Sequence, residues 1–557
     1  HTASNPLDEI KVRDIVCSCD DKILYEQIFG NPADQPEEVM AYKSCKHTIF
    51  AAAKRQMKAA PTPDEEVAQD FVEYSKNIIN QEIGEDLTHF GYSYQQWYSH
   101  LNKKKQNDMD LVAKWLLHYD LTPAELRRVM QRNYEGICKV ELQTTDGKPR
   151  MVCSIPLYTK FVMGPICWML EEICAKKFKG YCGGKNLIEM SDEINKYLDQ
   201  GFTKIVEGDG SAFDNTQDVS LKEVDRYIYS LVEHAVYHVD RQDFHNISQS
   251  LFKTMDILYT DQHCKKQKKL FSYTILGSVF SGDCDTTLCN TLRMALYNRY
   301  VNDRAGLKYG VDYVCFAKGD DFTVMYKPEI DDKFIEKAYY RYFLPATKDL
   351  TKPDTRVYGL GQVLKMLDFG DASTLKFCSL RSWFKDGQHI ILTRDPKKFY
   401  TLSKYSRKIK CMTKVQKAKY CIEQAIALEV AYPGIKIFDT MAKAYRIRAQ
   451  QYLWHNNKEK IDENRIRNKV MNMMKVEVKL QESPYMPRET KQYKEMFNIK
   501  YREEVIKIQS DYWETMKQQL YNVSYKLNEK ELELINQQIE AEFSVEELKS
   551  VLGPGKF

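Results

Sequence analysis

The 557-residue chain has little net charge: 82 lysines and arginines against 78 aspartates and glutamates leave +4. No global basicity therefore announces a polyanion partner, and any such site has to be local. Lysine clusters at Lys103–Lys105 and Lys265–Lys269 are candidates, and each reads equally well as a solvated face. The fifteen cysteines include no CxxC pair and form no dense framework, which excludes a disulfide scaffold and points to reduced thiols in a cytosolic compartment. Cys17, Cys19, Cys45 and His47 are four candidate zinc ligands. Their one-residue spacer departs from the usual two to four, and buried free cysteines are the preferred reading.

Apolar runs of membrane-spanning length are also missing. The longest, Phe161–Leu170, ends in Glu171 and Glu172, so no transmembrane segment is expected. No signal-peptide pattern is visible, and the chain opens on His1 rather than methionine, as a processed or trimmed product would. Glycine is absent from residues 435 to 552, a stretch rich in Lys, Glu, Gln, Met and Tyr. Recurring tyrosine, leucine and isoleucine there favour a helical C-terminal lobe over a disordered tail. There is no internal repeat.

Chemistry concentrates between residues 203 and 326. Tyr313–Tyr326, YVCFAKGDDFTVMY, reads as a β-hairpin: two short apolar, β-branched and aromatic segments flank Gly319, Asp320 and Asp321. Gly319 suits a tight turn that needs positive φ. Two adjacent carboxylates at such a turn repel each other unless a cation sits between them. A second acidic pair, Asp209 and Asp214 in a D-x4-D pattern, follows the strand Thr203–Glu207. A third element, SG-x3-T-x3-N, enters a helix with Ser281, Gly282, Thr286 and Asn290. Upstream, Lys139–Ser154 reads as strand, Asp-Gly turn and strand, carrying Lys139, Lys148 and Arg150 where triphosphate oxygens could be gripped. Tyr94–Lys105 sets aromatics beside lysines, which suits a nucleic-acid strand or an ordinary amphipathic helix end.

Elsewhere the patterns indicate helices at Phe161–Lys179, Leu187–Leu198 and Lys333–Tyr342, and a loop at Gly180–Lys185. Strands are expected at Leu270–Thr274, Gln362–Leu367 and Leu375–Ser379, with mixed helical and lysine-rich segments between Asp214 and Leu270. Cys284, Cys289 and Cys315 read as small core residues.

Taken in order, these elements resemble the palm of RNA-dependent RNA polymerases of positive-strand RNA viruses, most closely the tombusvirus-like and flavivirus-like branch. Asp209 with Asp214 is similar to motif A, Ser281–Asn290 with Asp283 to motif B, and Gly319–Asp321 to motif C. Lys148–Arg150 with Lys139 resemble motif F, Lys365 the motif D lysine, and Phe377–Ser379 the motif E hairpin that grips the primer. Arg394–Pro396 with Lys404 resemble the segment leading into the thumb. Lys318 before Gly319 and Lys376 before Phe377 depart from the family pattern.

The resemblance implies an α+β right hand: an N-terminal fingers–thumb bridge (1–99), fingers (100–200 and 218–272), an antiparallel palm sheet flanked by helices (201–217 and 273–382), and a helical thumb and C-terminal lobe (383–557). It implies template-directed nucleotidyl transfer from NTPs to an RNA 3′-hydroxyl, replicating a viral RNA genome. Asp209, Asp320 and Asp321 would hold two Mg²⁺ ions, with Mn²⁺ a substitute, about 3.5–4 Å apart. Lys365 would be the general acid for pyrophosphate, and Lys139, Lys148 and Arg150 would meet the triphosphate. Asp214, Ser281, Thr286 and Asn290 would select ribose through its 2′-hydroxyl, with Gly282 allowing close approach of the template. Partners would be template and nascent RNA, NTPs and other viral replicase proteins, at membrane-associated replication complexes in the host cytoplasm. A reverse transcriptase and a catalytically silent RNA-binding scaffold are the rival readings. The first usually carries YxDD and lacks the Asp214–Asn290 pair, and the second has no use for three retained carboxylates.

Overall fold

In the computed structural model the described residues are 26–28, 39–40, 60–117, 119–139, 141, 143–144, 150–211, 213–260, 267–346, 356–384, 389–394, 405–432, 436–453 and 461–473. Several expectations lie outside them: the zinc candidates Cys17, Cys19, Cys45 and His47, Lys148 with its Asp-Gly turn, Lys265 and Lys266, Pro396, Lys404, and most of the C-terminal lobe.

The described chain mixes helices with antiparallel and mixed sheets. Helix α1 (Glu65–Thr88) starts where Asp64 accepts hydrogen bonds from the amides of Glu66 and Val67. Short α2 (Tyr94–His100) and α3 (Lys103–Leu116) follow, so the aromatic-lysine stretch spans two helices, and its Trp97 is buried. Strands β1 (Tyr134–Cys138) and β2 (Met151–Ser154) precede α4 (Leu157–Lys177) and α5 (Leu187–Asp199), the latter opened by a capping box between Asn186 and Glu189. Next come β3 (Lys204–Gly210), α6 (Glu223–Val232), β4 (Phe252–Thr260), β5 (Gln267–Leu276) and α7 (Thr286–Arg304). The hairpin is β6 (Tyr313–Lys318) and β7 (Asp321–Tyr326), followed by α8 (Asp332–Tyr340), β8 (Phe343–Pro345) and β9 (Gln362–Gly370). Strands β10 (Lys376–Phe377), β11 (Leu380–Phe384) and β12 (Ile390–Arg394) lead to helices α9 (Lys414–Ala431), α10 (Lys436–Leu453) and α11 (Glu463–Met473).

The central sheet has the order β8-β9-β3-β7-β6, with β8 parallel to β9 and the other pairs antiparallel. Alternate side chains enter two different cores, as the two-residue period of a strand requires. Ile205, Val314, Phe316 and Met325 pack with α5, β12, α9 and α10. Val206, Cys315, Phe322 and Val324 pack with α1, α4 and α7. With both faces covered, the strands carry near-continuous apolar runs instead of an alternating polar face. Helix α7 runs through the second core, and every residue from Leu288 to Asn302 is buried.

A second sheet, β2-β1-β4-β5, joins two remote chain segments: Tyr134–Gly136 pair parallel with Met255–Ile257. Strand β4 corrects the expectation of mixed helical segments before Leu270. A register shift between Ile257 and Leu258 breaks its alternation, which is why its sequence does not read as period two. Among the described residues no helix is long and apolar enough to cross a membrane.

Gly208, on central β3, lies opposite Phe322, and a methyl group there would come within 2.0 Å of the Phe322 ring. Gly208→Ala is expected to destabilise the fold by about 1–3 kcal/mol through overpacking, read as a lower thermal unfolding midpoint. An unchanged midpoint would mean that the ring and strand are free to separate there.

Candidate active site

The ends of two neighbouring strands of the central sheet, β3 and β7, gather acidic residues that lie far apart in the sequence. In the antiparallel register Asp321 stands directly opposite Asp209, which sets their Cα atoms about 4.5–5.5 Å apart. The Gly210 amide donates to the Asp320 carbonyl at 3.4 Å, fastening the turn to β3. Gly319 has φ +65°, and its amide is held by Thr291 Oγ1 at 3.0 Å. With glycine first and positive, the two-residue turn Gly319–Asp320 fits the type II′ class, whose twist matches a hairpin.

The acids also act on one another through their charges. Burial pushes the Asp321 carboxyl up to about 6, and the charges of Asp320 and Asp209 push the same way; Lys365 and the Cys378 thiol, which donates to Asp321, oppose them. Lys365 Nζ lies 2.8 Å from Asp209 Oδ2, forming an exposed ion pair. Burial also raises Asp214 to about 6, helped by Asp320 and opposed by a hydrogen bond from Asn290. Lys365 thus offsets the charges of Asp209 and Asp321, while Asp214 is balanced by Asn290 and Arg293. As the side chains stand, no three His, Cys, Asp or Glu residues among the described ones are gathered closely enough to hold a metal. The excess negative charge and oxygen donors at Asp209, Asp320 and Asp321 are nevertheless the chemistry a hard divalent cation takes.

The ribose candidates divide. Asn290 Nδ2 donates to Asp214 Oδ1 at 2.7 Å, so this pair is formed although its members are 76 positions apart. Thr286 Oγ1 instead donates to the Phe280 carbonyl at 2.8 Å and fastens the loop before α7. Ser281 and Gly282 are exposed. Gly282 has φ +128°, and a methyl group there would meet the Cys153 carbonyl oxygen at 2.4 Å. That close approach, with the Cys153 amide donating to the Ser281 carbonyl at 3.3 Å, docks the loop onto β2.

Of the three basic candidates, Lys139 and Arg150 are exposed, and they meet across the β1–β2 hairpin, where the Lys139 amide donates to the Arg150 carbonyl at 2.7 Å. Both side chains lie on Glu141, at 2.7 and 3.6 Å, so part of their charge is already countered. The two departures from the family pattern turn away from the carboxylates or act through backbone. Lys318 Nζ donates to the Lys185 carbonyl at 3.3 Å, and the Lys376 amide donates to buried Glu207. Glu207 thereby ties the β10 strand to the central sheet, and burial raises its carboxyl to about 7. Cys378 and Ser379, at φ 54° and 60°, form a two-residue turn with both residues left-handed, a strained conformation for non-glycine residues.

Sequence reasoning missed a buried polar layer under the site. Lys253, partly buried, pairs with buried Asp283; burial works against the Lys253 charge, but Asp283 and Asp285 outweigh it and hold the ammonium above its usual range. Arg293 bonds Asn290 and Gln217. A charged side chain inside the apolar run of α7, three residues after Asn290, was the available signal.

Because the Asp214 carboxyl is raised from 3.8 to about 6 in the fold, the native state holds its proton more tightly than the unfolded chain. Asp214 therefore costs stability as pH climbs from about 4 to about 6, on the order of 3 kcal/mol in all, and nothing further above that window. Denaturant unfolding at pH 4 and pH 7 is expected to show this loss in the wild type relative to Asp214→Asn, and equal losses in both would contradict it. No family model matches the chain, and no curated protein matches it either.

Proposed function

We propose that the chain is an RNA-dependent RNA polymerase of the right-hand type, from a positive-strand RNA virus, acting on an RNA template, a nascent RNA 3′ end and NTPs. The observation that carries this reading is the pairing of Asp209 opposite Asp321 beside a formed Asp214–Asn290 pair. One pair supplies acidic oxygens at the strand ends, and the other supplies a donor and an acceptor suited to a ribose hydroxyl. The sheet built from β1, β2, β4 and β5 acts as fingers, β3 and β6–β9 as palm, and α9–α11 as thumb.

Asp209, Asp320 and Asp321 would hold Mg²⁺, which when bound would acidify the 3′-hydroxyl and offset charge on the leaving pyrophosphate. Lys139 and Arg150, with Lys148, steer the triphosphate towards those strand ends once released from Glu141. Lys365, which rests on Asp209, would donate a proton to the leaving pyrophosphate. The Cys378–Ser379 turn, in contact with Asp321 through the thiol, holds the primer strand end near the carboxylates. Template contact is mostly phosphate pairing and stacking, hence salt-sensitive. Other replicase proteins would bring the enzyme to membrane-associated complexes in the host cytoplasm.

The test is incorporation of labelled NTP by the purified full chain on a heteropolymeric RNA with Mg²⁺, with and without primer. RNA synthesis is expected, with NTPs preferred over dNTPs, and Asp320→Ala should reduce it by about a hundredfold or more. Preference for dNTPs would make the enzyme a reverse transcriptase. RNA binding without synthesis would make it a scaffold.

A further inference from the structure

Arg293 lies one helical turn beyond Asn290 on the same side of α7 and is fully buried. A guanidinium has five donors and no acceptor, so the Asn290 atom 2.9 Å from Nη2 must be the amide oxygen. The amide nitrogen is thereby turned to Asp214, to which it donates. Arg293 is itself fixed on its other sides. Its Nη1 donates to Gln217 Oε1 at 2.7 Å, its Nε to the Cys289 carbonyl at 3.2 Å, and the buried Asp225 carboxylate lies 3.2 Å from Nε. Gln217 in turn donates to the Phe213 carbonyl at 2.8 Å and to Gln362 Oε1 at 3.0 Å. Gln362 donates to the Thr216 carbonyl at 2.9 Å. One cation thus ties α7 to the turn that carries Asp214 and to the start of β9.

We propose that Arg293 is the positioning residue for sugar selection: it fixes which end of the Asn290 amide faces Asp214, so that the pair presents one N–H and one carboxylate oxygen to a ribose 2′-hydroxyl. The inference rests on the polymerase reading above. Without the guanidinium only the bond to Asp214 holds the amide, so it turns more readily, and a turned amide offers its oxygen where the hydroxyl needs a donor. The donor–acceptor pair that tells ribose from deoxyribose then loses its fixed polarity. A side chain that only filled space would slow both sugars alike.

The test uses the full chain and compares kcat/KM for CTP and dCTP opposite template guanosine. Arg293→Lys keeps a charge beside Asp225, but its single ammonium cannot reproduce the planar fork that spans Asn290 and Gln217. Arg293→Met combined with Asp225→Asn removes both partners of the buried pair, so a folding failure of the first variant leaves a second reading. The ribose preference is expected to fall by about tenfold in either, mainly through a higher KM for CTP. In an Asn290→Ala background the same Arg293 changes should leave the preference where Asn290→Ala put it. An unmoved preference in a folded Arg293 variant, or a further drop in the Asn290→Ala background, overturns the proposal while RNA synthesis by the wild type stands. If the wild type makes no RNA, the polymerase reading fails and this inference falls with it.

Discussion

Like charges held at the ends of two neighbouring strands are the constraint that the rest of the structure serves. Two carboxylates about 5 Å apart near a protein surface repel by roughly 3 kcal/mol, and here Asp209, Asp320 and Asp321 are held together with Asp214 close by. The strands that carry them stay together because both faces of the sheet are buried. Ile205 and Met325 are held on one side, and Val206, Phe322 and Val324 on the other. Register does the rest. A slip of one residue between β3 and β7 would exchange the two faces and bring Gly208 or Gly210 opposite Asp321. The apolar pattern thus fixes the acidic geometry.

The flanking elements each restrain one side of those strand ends. Thr291 on α7 holds the Gly319 amide, Glu207 holds the β10 strand, and Cys153 receives the Gly282 loop. Lys365 offsets one charge from the exposed side. Three of these contacts, from Thr291, Lys376 and Lys365, meet β3 or the β6–β7 turn directly, and the fourth docks the loop before α7 onto β2. The concentration of restraint is what a site needs when its ligand groups would otherwise spread apart.

How much of this was legible in the sequence depended on whether the signal was local. The Tyr313–Tyr326 hairpin could be read because its apolar segments flank a Gly-Asp turn, and α7 because a Ser-Gly loop precedes a helical pattern. The antiparallel pairing of Asp209 with Asp321 could be expected only from the order of the motifs. Strand β4 was not legible, since the bulge at Ile257–Leu258 moves Leu258 out of the alternation set by Met255 and Ile257. Nor was the partnership of Thr286 with the Phe280 carbonyl, because a hydroxyl at a helix start serves a cap or a ligand equally well in sequence terms.

The buried layer is the hardest part to read, and it shows why a motif can be complete and still underdetermined. Asn290 and Asp214 satisfy a spacing rule, but an amide has a donor end and an acceptor end, and spacing does not say which end points where. On the proposal above that choice is made by Arg293, whose partner Gln217 lies 76 positions from it in the chain and itself donates to Gln362, and whose charge is balanced by Asp225. Burying a guanidinium is costly unless its donors are satisfied and its charge is paired, and here Asn290, Gln217, Cys289 and Asp225 meet those needs. A hydrophobic residue at position 293 would fill the same volume without that cost. It could not distinguish the oxygen of Asn290 from its nitrogen, and it would leave Gln217 Oε1 and the buried Asp225 carboxylate without the guanidinium.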